Sequence, residues 1–231
     1  DACRTGAGQP LMLFGPLEFV PRLVMFDLDG TLVDSVADIA LSLNRALGDM
    51  AMPEVSEAQV RTWVGRGASR LVYCVLEHQY HPADLHDALL ARFMARYQAS
   101  VCEASTVYPG ARELVLACRT AGIFLACVTN KPYAPARALL EALDLLEPFE
   151  LLLGGDSLPH KKPHPAPVQH CLHEFGVEPE QALMVGDSRN DVESARAAGV
   201  RCVVVPYGYN HGEPIEACQP DWQVESLSEL L

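Results

Sequence analysis

Residues 23–35 read Leu-Val-Met-Phe-Asp-Leu-Asp-Gly-Thr-Leu-Val-Asp-Ser, and the reading of this stretch decides the fold. Four apolar residues, Leu23–Phe26, run without interruption into Asp27-Leu28-Asp29-Gly30-Thr31. An unbroken apolar run of this length suits a strand covered on both faces, as in a parallel sheet. Residues two apart on an extended segment point to the same side, so Asp27 and Asp29 face one place. One carboxylate can then attack an electrophile while its neighbour transfers protons. Gly30 lets the chain turn sharply after the strand.

Working outward, the same arrangement recurs. Ile123–Val128 runs into Thr129-Asn130-Lys131, and Ala182–Val185 runs into Gly186-Asp187-Ser188-Arg189-Asn190-Asp191. Leu151–Leu153 and Cys202–Val205 are further apolar runs. Between them lie helix-like segments at 110–121, 134–143, 165–175 and 190–198. The first is entered through Pro109 and left at Gly122, and the last is stopped by Gly199. The alternation predicts right-handed crossovers and an α/β fold with a doubly wound parallel sheet.

Residues 36–104 break this pattern. Apolar positions recur three and four apart in 37–47, 68–77 and 84–97, with no strand signal. They predict an α-helical cap subdomain inserted into a core made of 21–35 and 105–231. Trp63, Tyr73, Phe93, Met94 and Tyr97 fall at helical spacing and are expected in the core of that cap. Residues 1–20 read as an N-terminal extension. Within it, 1–11 look like a cloning remnant, a processed end or an upstream extension, with Met12 as a natural start. Leu11–Val20 makes a poor signal peptide, since Gly15, Pro16 and Glu18 interrupt it and the basic start is missing.

The 231 residues are 49 % hydrophobic and 20 % charged, an ordinary globular mixture that excludes a disordered chain. The length suits one domain with a sizeable insertion. A net charge of −13 argues against nucleic acid and anionic membranes as partners. No stretch reaches the length of an apolar membrane span, and a cytoplasmic protein is expected. The eight cysteines form no CxxC pair, so a disulfide framework is not expected. His160/His164 and His170/His173 have spacings that could hold zinc, but no further ligand pattern completes a site. A monomer and a homodimer both remain open.

In open parallel sheets, ligands bind outside the carboxyl ends of the strands. If the three strands that end in polar residues are neighbours, four carboxylates and a hydroxyl converge there. Such a cluster calls for a cation, and all-oxygen ligands favour Mg²⁺. Asp187 and Asp191, four apart, can face one ion, with Asp191 in the first turn of a helix where negative charge is favoured. Asp191 is also a natural helix cap.

The segments DLDGTLVDS (27–35), TNKP (129–132), KKPHP (161–165) and GDSRNDV (186–192), in this order, resemble the haloacid dehalogenase superfamily of phosphotransferases. The resemblance covers about residues 21–231, and the superfamily's helical cap follows its first motif, as 36–104 does here. VRTWVGRGA (60–68), VYPGAREL (107–114), GGDSLPHKKPHPAP (154–167) and YGYNHG (207–212) narrow the resemblance to bacterial phosphoglycolate phosphatases. That family commonly has Asn in a GNGA stretch where this chain has Arg66.

The resemblance implies that Asp27 is the nucleophile and takes the phosphoryl group, and that Asp29 is the general acid and base. It implies Mg²⁺ held by the Asp27 carboxylate, the Asp29 carbonyl and Asp187, with Asp191 a ligand or a support. Thr129 and Lys162 would hold the phosphoryl oxygens. On chemistry alone either Lys161 or Lys162 would serve, and the match places the lysine immediately before Pro163. Asn130 is expected to bind the phosphoryl group too, and Lys131 to be a surface charge on the loop. Gly65-Arg66-Gly67 would form a mobile turn of the cap that sets substrate specificity. Arg66 would either reach the substrate's carboxylate or lie exposed at a helix junction. No role follows for YGYNHG, and His211 is an unsupported candidate base.

The implied activity is Mg²⁺-dependent hydrolysis of 2-phosphoglycolate to glycolate and phosphate. Hydrolysis or phosphoryl return on another small phosphorylated metabolite, such as a sugar phosphate, is the first alternative. A catalytically silent phosphate-binding regulator is the second. Dehalogenation is disfavoured, because those enzymes need no metal and usually lack the second carboxylate, here Asp29.

Overall fold

The computed structural model describes residues 13–231; the expectations for residues 1–12 lie outside the described residues. Six strands form one parallel sheet. They are β1 (Leu23–Phe26), β4 (Phe124–Val128), β5 (Leu151–Leu153), β6 (Ala182–Gly186), β7 (Arg201–Val204) and β8 (Trp222–Gln223), in the spatial order β5-β4-β1-β6-β7-β8. The expected runs are all strands, with ends shifted by a residue. β8 is an addition: two residues carry no periodicity to read.

The central strands explain the unbroken apolar runs. Leu23, Val24, Met25 and Phe26 are all fully buried, and so are Ala182–Val185. Alternate residues serve opposite faces. Val24 and Phe26 pack with Leu114, Leu139 and Leu227 on one side, while Leu23 and Met25 pack with Val168, Val192 and Ala195 on the other. Helices therefore cover both faces, namely α5 (Ala111–Thr120), α6 (Tyr133–Ala142), α7 (Ala166–Phe175) and α8 (Arg189–Ala197). From the segment expected as an extension, Phe14 and Leu17 are buried in the first of these layers, and the Phe14 N–H donates to the Leu230 carbonyl at 2.8 Å.

Between β1 and β4 the chain is helical. It runs through α1 (Val36–Gly48), α2 (Glu57–Trp63), α3 (Ala68–His78) and α4 (His86–Ala99). Leu43, Leu47, Val72, Val75, Leu89 and Phe93 form an apolar cluster of their own there. A short antiparallel pair, β2 (Val33–Asp34) with β3 (Thr106–Val107), closes the base of this insertion. Of the aromatic and Met positions expected in that cluster, Phe93 and Tyr97 are buried, and Trp63 and Met94 partly so. Tyr73 is the correction: it is 42 % exposed and stacks on His86 at 4.0 Å between ring centres. Its ring lies on the solvent side of α3, outside the stripe made by Leu71, Val72, Val75 and Leu76.

Candidate active site

Register carries the three polar strand ends to one level. Phe26 stands opposite Cys127 on β4 and opposite Val185 on β6. One residue further out is Asp27, and two residues further out are Thr129 on one side and Asp187 on the other. The Asp27 N–H still donates to the Val185 carbonyl at 2.9 Å, and the Thr129 N–H to Leu153 at 2.9 Å. The side chains thus project from backbone that the sheet holds rigid.

Asp27, Asp187 and Asp191 are buried, and each brings a carboxylate oxygen within 4.8 Å of the others. One cation faces them: Lys162, 2 % exposed, with Nζ 2.6 Å from Asp191 Oδ1 and 3.1 Å from Asp27 Oδ1. Burial pushes the Asp27 carboxyl up to about 7, opposed by Lys162 and reinforced by Asp191. Burial, then Asp27 and Asp191, drive Asp187 well above the usual carboxylate range. Burial alone would weaken the Lys162 ammonium, but Asp191 and Asp27 outweigh it and hold it charged. Three acids against one base is a deficit of positive charge among all-oxygen donors, so the residues fit a metal ion.

The three acids are not equivalent. Asp187 Oδ1 accepts from Thr31 Oγ1 at 2.7 Å and Oδ2 from the Tyr209 N–H at 2.6 Å, which fixes the carboxylate and leaves lone pairs on both oxygens. Asp191 spends Oδ2 on the Ser188 N–H at 3.1 Å and Oγ at 2.8 Å, and Oδ1 on Lys162. Asp191 therefore caps α8, as its position in the sequence allowed, and also aims Lys162, which the sequence did not indicate.

Asp29 faces a different partner. Lys131 Nζ donates to both its oxygens at 2.8 and 2.9 Å, and Ser35 Oγ donates to Oδ1. This corrects the expectation of a surface charge. Lys131 is only 6 % exposed, and its ammonium lies 4.6 Å from the centre of the Tyr97 ring. Thr129 Oγ1 accepts from the Lys131 N–H at 3.2 Å, so its own proton remains free to donate.

Asn130 lines the same cavity as Asp27 and Thr129. Its Nδ2 donates to the Gly65 carbonyl at 2.9 Å and to the Lys162 carbonyl at 2.8 Å, joining the turn 65–67 to the lysine loop. Asn190 Nδ2 donates to the same Gly65 carbonyl at 3.1 Å. Gly65 and Gly67 have φ of +112° and +87°. A Cβ on Gly65 would come within 3.1 Å of His211, and one on Gly67 within 2.8 Å of Lys161 Nζ, so this turn needs glycine twice. Arg66 between them is exposed, as in the second of its two expected positions.

A small cavity of about 50 Å³ lies between the strand ends and the insertion, room for only a few water-sized groups. Asp27, Asp29, Thr129 and Lys131 line its floor; Ile39, Leu71, Phe93, Met94 and Tyr97 line its roof. Gly65 and Gly67 reach it, whereas Arg66 and His211 are not among its walls. His211 sits beside Gly65, and burial, with Arg66 nearby, holds its pKa below the ordinary value.

YGYNHG acquires a place. The Tyr209 N–H fixes Asp187, while its hydroxyl donates to Asp34 and accepts from the Ser35 and Val36 N–H groups at 3.0 and 3.2 Å. One residue thus spans the acid cluster and the entry to the insertion. Two tyrosines two apart after a strand were the available signal, but nothing in the sequence names their partners.

This geometry defines a class. Over residues 24–205 the chain matches the haloacid dehalogenase-like hydrolases, and it belongs to that family. It is 46 % identical to the phosphoglycolate phosphatase of Pseudomonas putida, over 92 % of this chain and 79 % of that one. It is 40 % identical to the phosphoglycolate phosphatase of Nitrosococcus oceani, over 91 % and 95 %. The crystal structure of "a predicted phosphoglycolate phosphatase" from Haemophilus somnus 129pt superposes with a TM-score of 0.85. Identity there is 39 %, over 90 % of this chain and 96 % of that chain.

Proposed function

We propose that this protein is a Mg²⁺-dependent phosphatase that hydrolyses 2-phosphoglycolate to glycolate and phosphate. The observation that carries the reading is the small cavity with Asp27, Asp29 and Thr129 on its floor, and three buried acids clustered beside it. The relatives named above supply the substrate.

The roles follow from position. The Asp27 carboxylate attacks phosphorus, the bond from phosphorus to the glycolate oxygen breaks, and Asp29 protonates that oxygen. Asp29 then takes a proton from water. The water oxygen bonds to phosphorus, the bond to Asp27 breaks, and phosphate leaves. Lys162 and Thr129 bind the phosphoryl oxygens, as a point cation and a hydroxyl donor suit charge spread over three oxygens. Mg²⁺ would be held by the Asp27 carboxylate, the Asp29 carbonyl and Asp187, and would neutralise charge on the transferring group. Asp191 supports from behind by aiming Lys162.

In this reading 36–104 is a cap subdomain over a core of 21–35 and 105–231, with the turn 65–67 at its contact with the substrate. The choice of a two-carbon substrate over a sugar phosphate rests on the relatives named above. A cytoplasmic location belongs to the same reading, and the buried thiols of Cys118, Cys127, Cys171, Cys202 and Cys218 fit a reducing compartment.

The test is phosphate release across a panel of small phosphates with Mg²⁺. We expect 2-phosphoglycolate to give the highest kcat/KM, and Asp27→Asn to lower kcat by about 10³-fold or more while the fold is retained. A sugar phosphate as the best substrate would overturn the choice of substrate. Unchanged turnover in Asp27→Asn would overturn the mechanism.

A further inference from the structure

We propose that Lys131 and Tyr97 together form the seat for the substrate's carboxylate, and so set specificity for 2-phosphoglycolate. The inference rests on the proposed substrate and deepens it. Arg66, the cation expected for this task, is exposed and is not among the cavity walls. Among the described residues that line the cavity, Lys131 is the one cation.

Its place fits the substrate's covalent structure. Asp29 must meet the oxygen that leaves phosphorus, and in 2-phosphoglycolate a single CH₂ separates that oxygen from the carboxylate carbon. The carboxylate therefore lies close to whatever touches Asp29, and Lys131 touches both Asp29 oxygens. An ammonium has three N–H donors. Two point at Asp29, which leaves one for a second anion. Lys162 is on the other side of the site, committed to Asp27 and Asp191.

Tyr97 supplies an independent observation. It comes from α4, on the cap side, and is 2 % exposed; its buried hydroxyl has no well-formed hydrogen bond, and the Lys131 ammonium is the polar group beside it. A buried phenol without a partner costs on the order of a lost hydrogen bond unless a ligand satisfies it. Burial pushes its pKa up to about 12, against the pull of Lys131, so the group stays a donor. The remaining roof is Ile39, Leu71, Phe93 and Met94, which offers a carboxylate nothing polar. A carboxylate in such surroundings needs a cation and a donor, and Lys131 with Tyr97 provides both.

The test compares 2-phosphoglycolate with ethyl phosphate, which keeps the two carbons and lacks the carboxylate. Lys131→Met should lower kcat/KM for 2-phosphoglycolate about 10- to 100-fold more than for ethyl phosphate. Tyr97→Phe, which keeps the ring, should show the same bias at about 3- to 10-fold, and carries the test alone if Lys131→Met does not fold. Inhibition of ethyl phosphate turnover by free glycolate should weaken in the same variants. Equal losses on both substrates would mean that Lys131 only positions Asp29, and would overturn the proposal while leaving the proposed function intact. A wild-type enzyme with no preference for 2-phosphoglycolate over ethyl phosphate would overturn both.

Discussion

In the proposed reaction Asp27 bears opposed demands: it would have to be ionised to attack, yet it sits buried beside two other acids. Its pKa rises from the ordinary 3.8 to about 7, and that of Asp187 rises too. Between about pH 4 and pH 7 the folded state then holds more protons than the unfolded state. Stability without metal must fall as pH rises through that window, by about 4 kcal/mol at most for Asp27. A bound divalent cation relieves the same repulsion, and it competes with protons for the carboxylates. The gain in Tm on adding Mg²⁺ to chelator-treated protein is therefore expected to be larger at pH 8 than at pH 5, with a smaller difference in Asp27→Asn, where Asp187 still competes for protons. An equal gain at both pH values in the wild type would remove Asp27 from the ligand set. The sequence showed which acids converge but not their protonation, because that depends on burial and on Lys162, 135 positions away in the chain. Lys131 was nearer to hand. It lies two residues after Thr129, so the alternation that pairs Asp27 with Asp29 also pairs Thr129 with Lys131.

At the scale of elements, long apolar runs and helical stripes were legible because each is a period repeated several times. β2, β3 and β8 were not, since two-residue strands have no period and exist only through their partners. The links between elements were equally hidden. Asp38 in α1 accepts from the N–H groups of Glu103, Ala104 and Ser105, at 2.7 to 3.1 Å, and from the Ser105 hydroxyl, tying the exit of the insertion to its entry. Asp38→Ala leaves the buried Ser105 donors without an acceptor, and should cost about 2 kcal/mol in urea unfolding. A loss below about 1 kcal/mol would show that water replaces the carboxylate. The Gly65 carbonyl is a lighter fastening, with Asn130 and Asn190 as its two donors. Asn190→Ala removes one of them. Amide exchange in residues 64–68 should quicken by about 5- to 10-fold, in line with one hydrogen bond of roughly 1 kcal/mol, while global stability changes little. Exchange that stays at the wild-type rate would mean that Asn130 alone holds the turn.

On the scale of the whole molecule, the apolar contacts fall into separate clusters. Leu43, Val72 and Phe93 belong to one cluster, and the two faces of the sheet to others. Across this division run the polar contacts of the Gly65 latch and of Tyr209, whose ring also packs in the insertion's cluster; polar contacts loosen one at a time, whereas an apolar cluster gives way as a unit. The insertion should therefore open without unfolding the sheet, which would ease entry to the cavity beneath it. Leu43→Ala tests this. The residue is fully buried where α1 packs on α4, and the cavity left behind should cost about 2–5 kcal/mol. If the insertion is a separate cooperative unit, exchange will accelerate at the amides of α1 to α4 and remain slow in β1, β4 and β6. Equal acceleration in the central strands would show that insertion and sheet unfold together, and entry to the site would then have to come from the turn 65–67 alone.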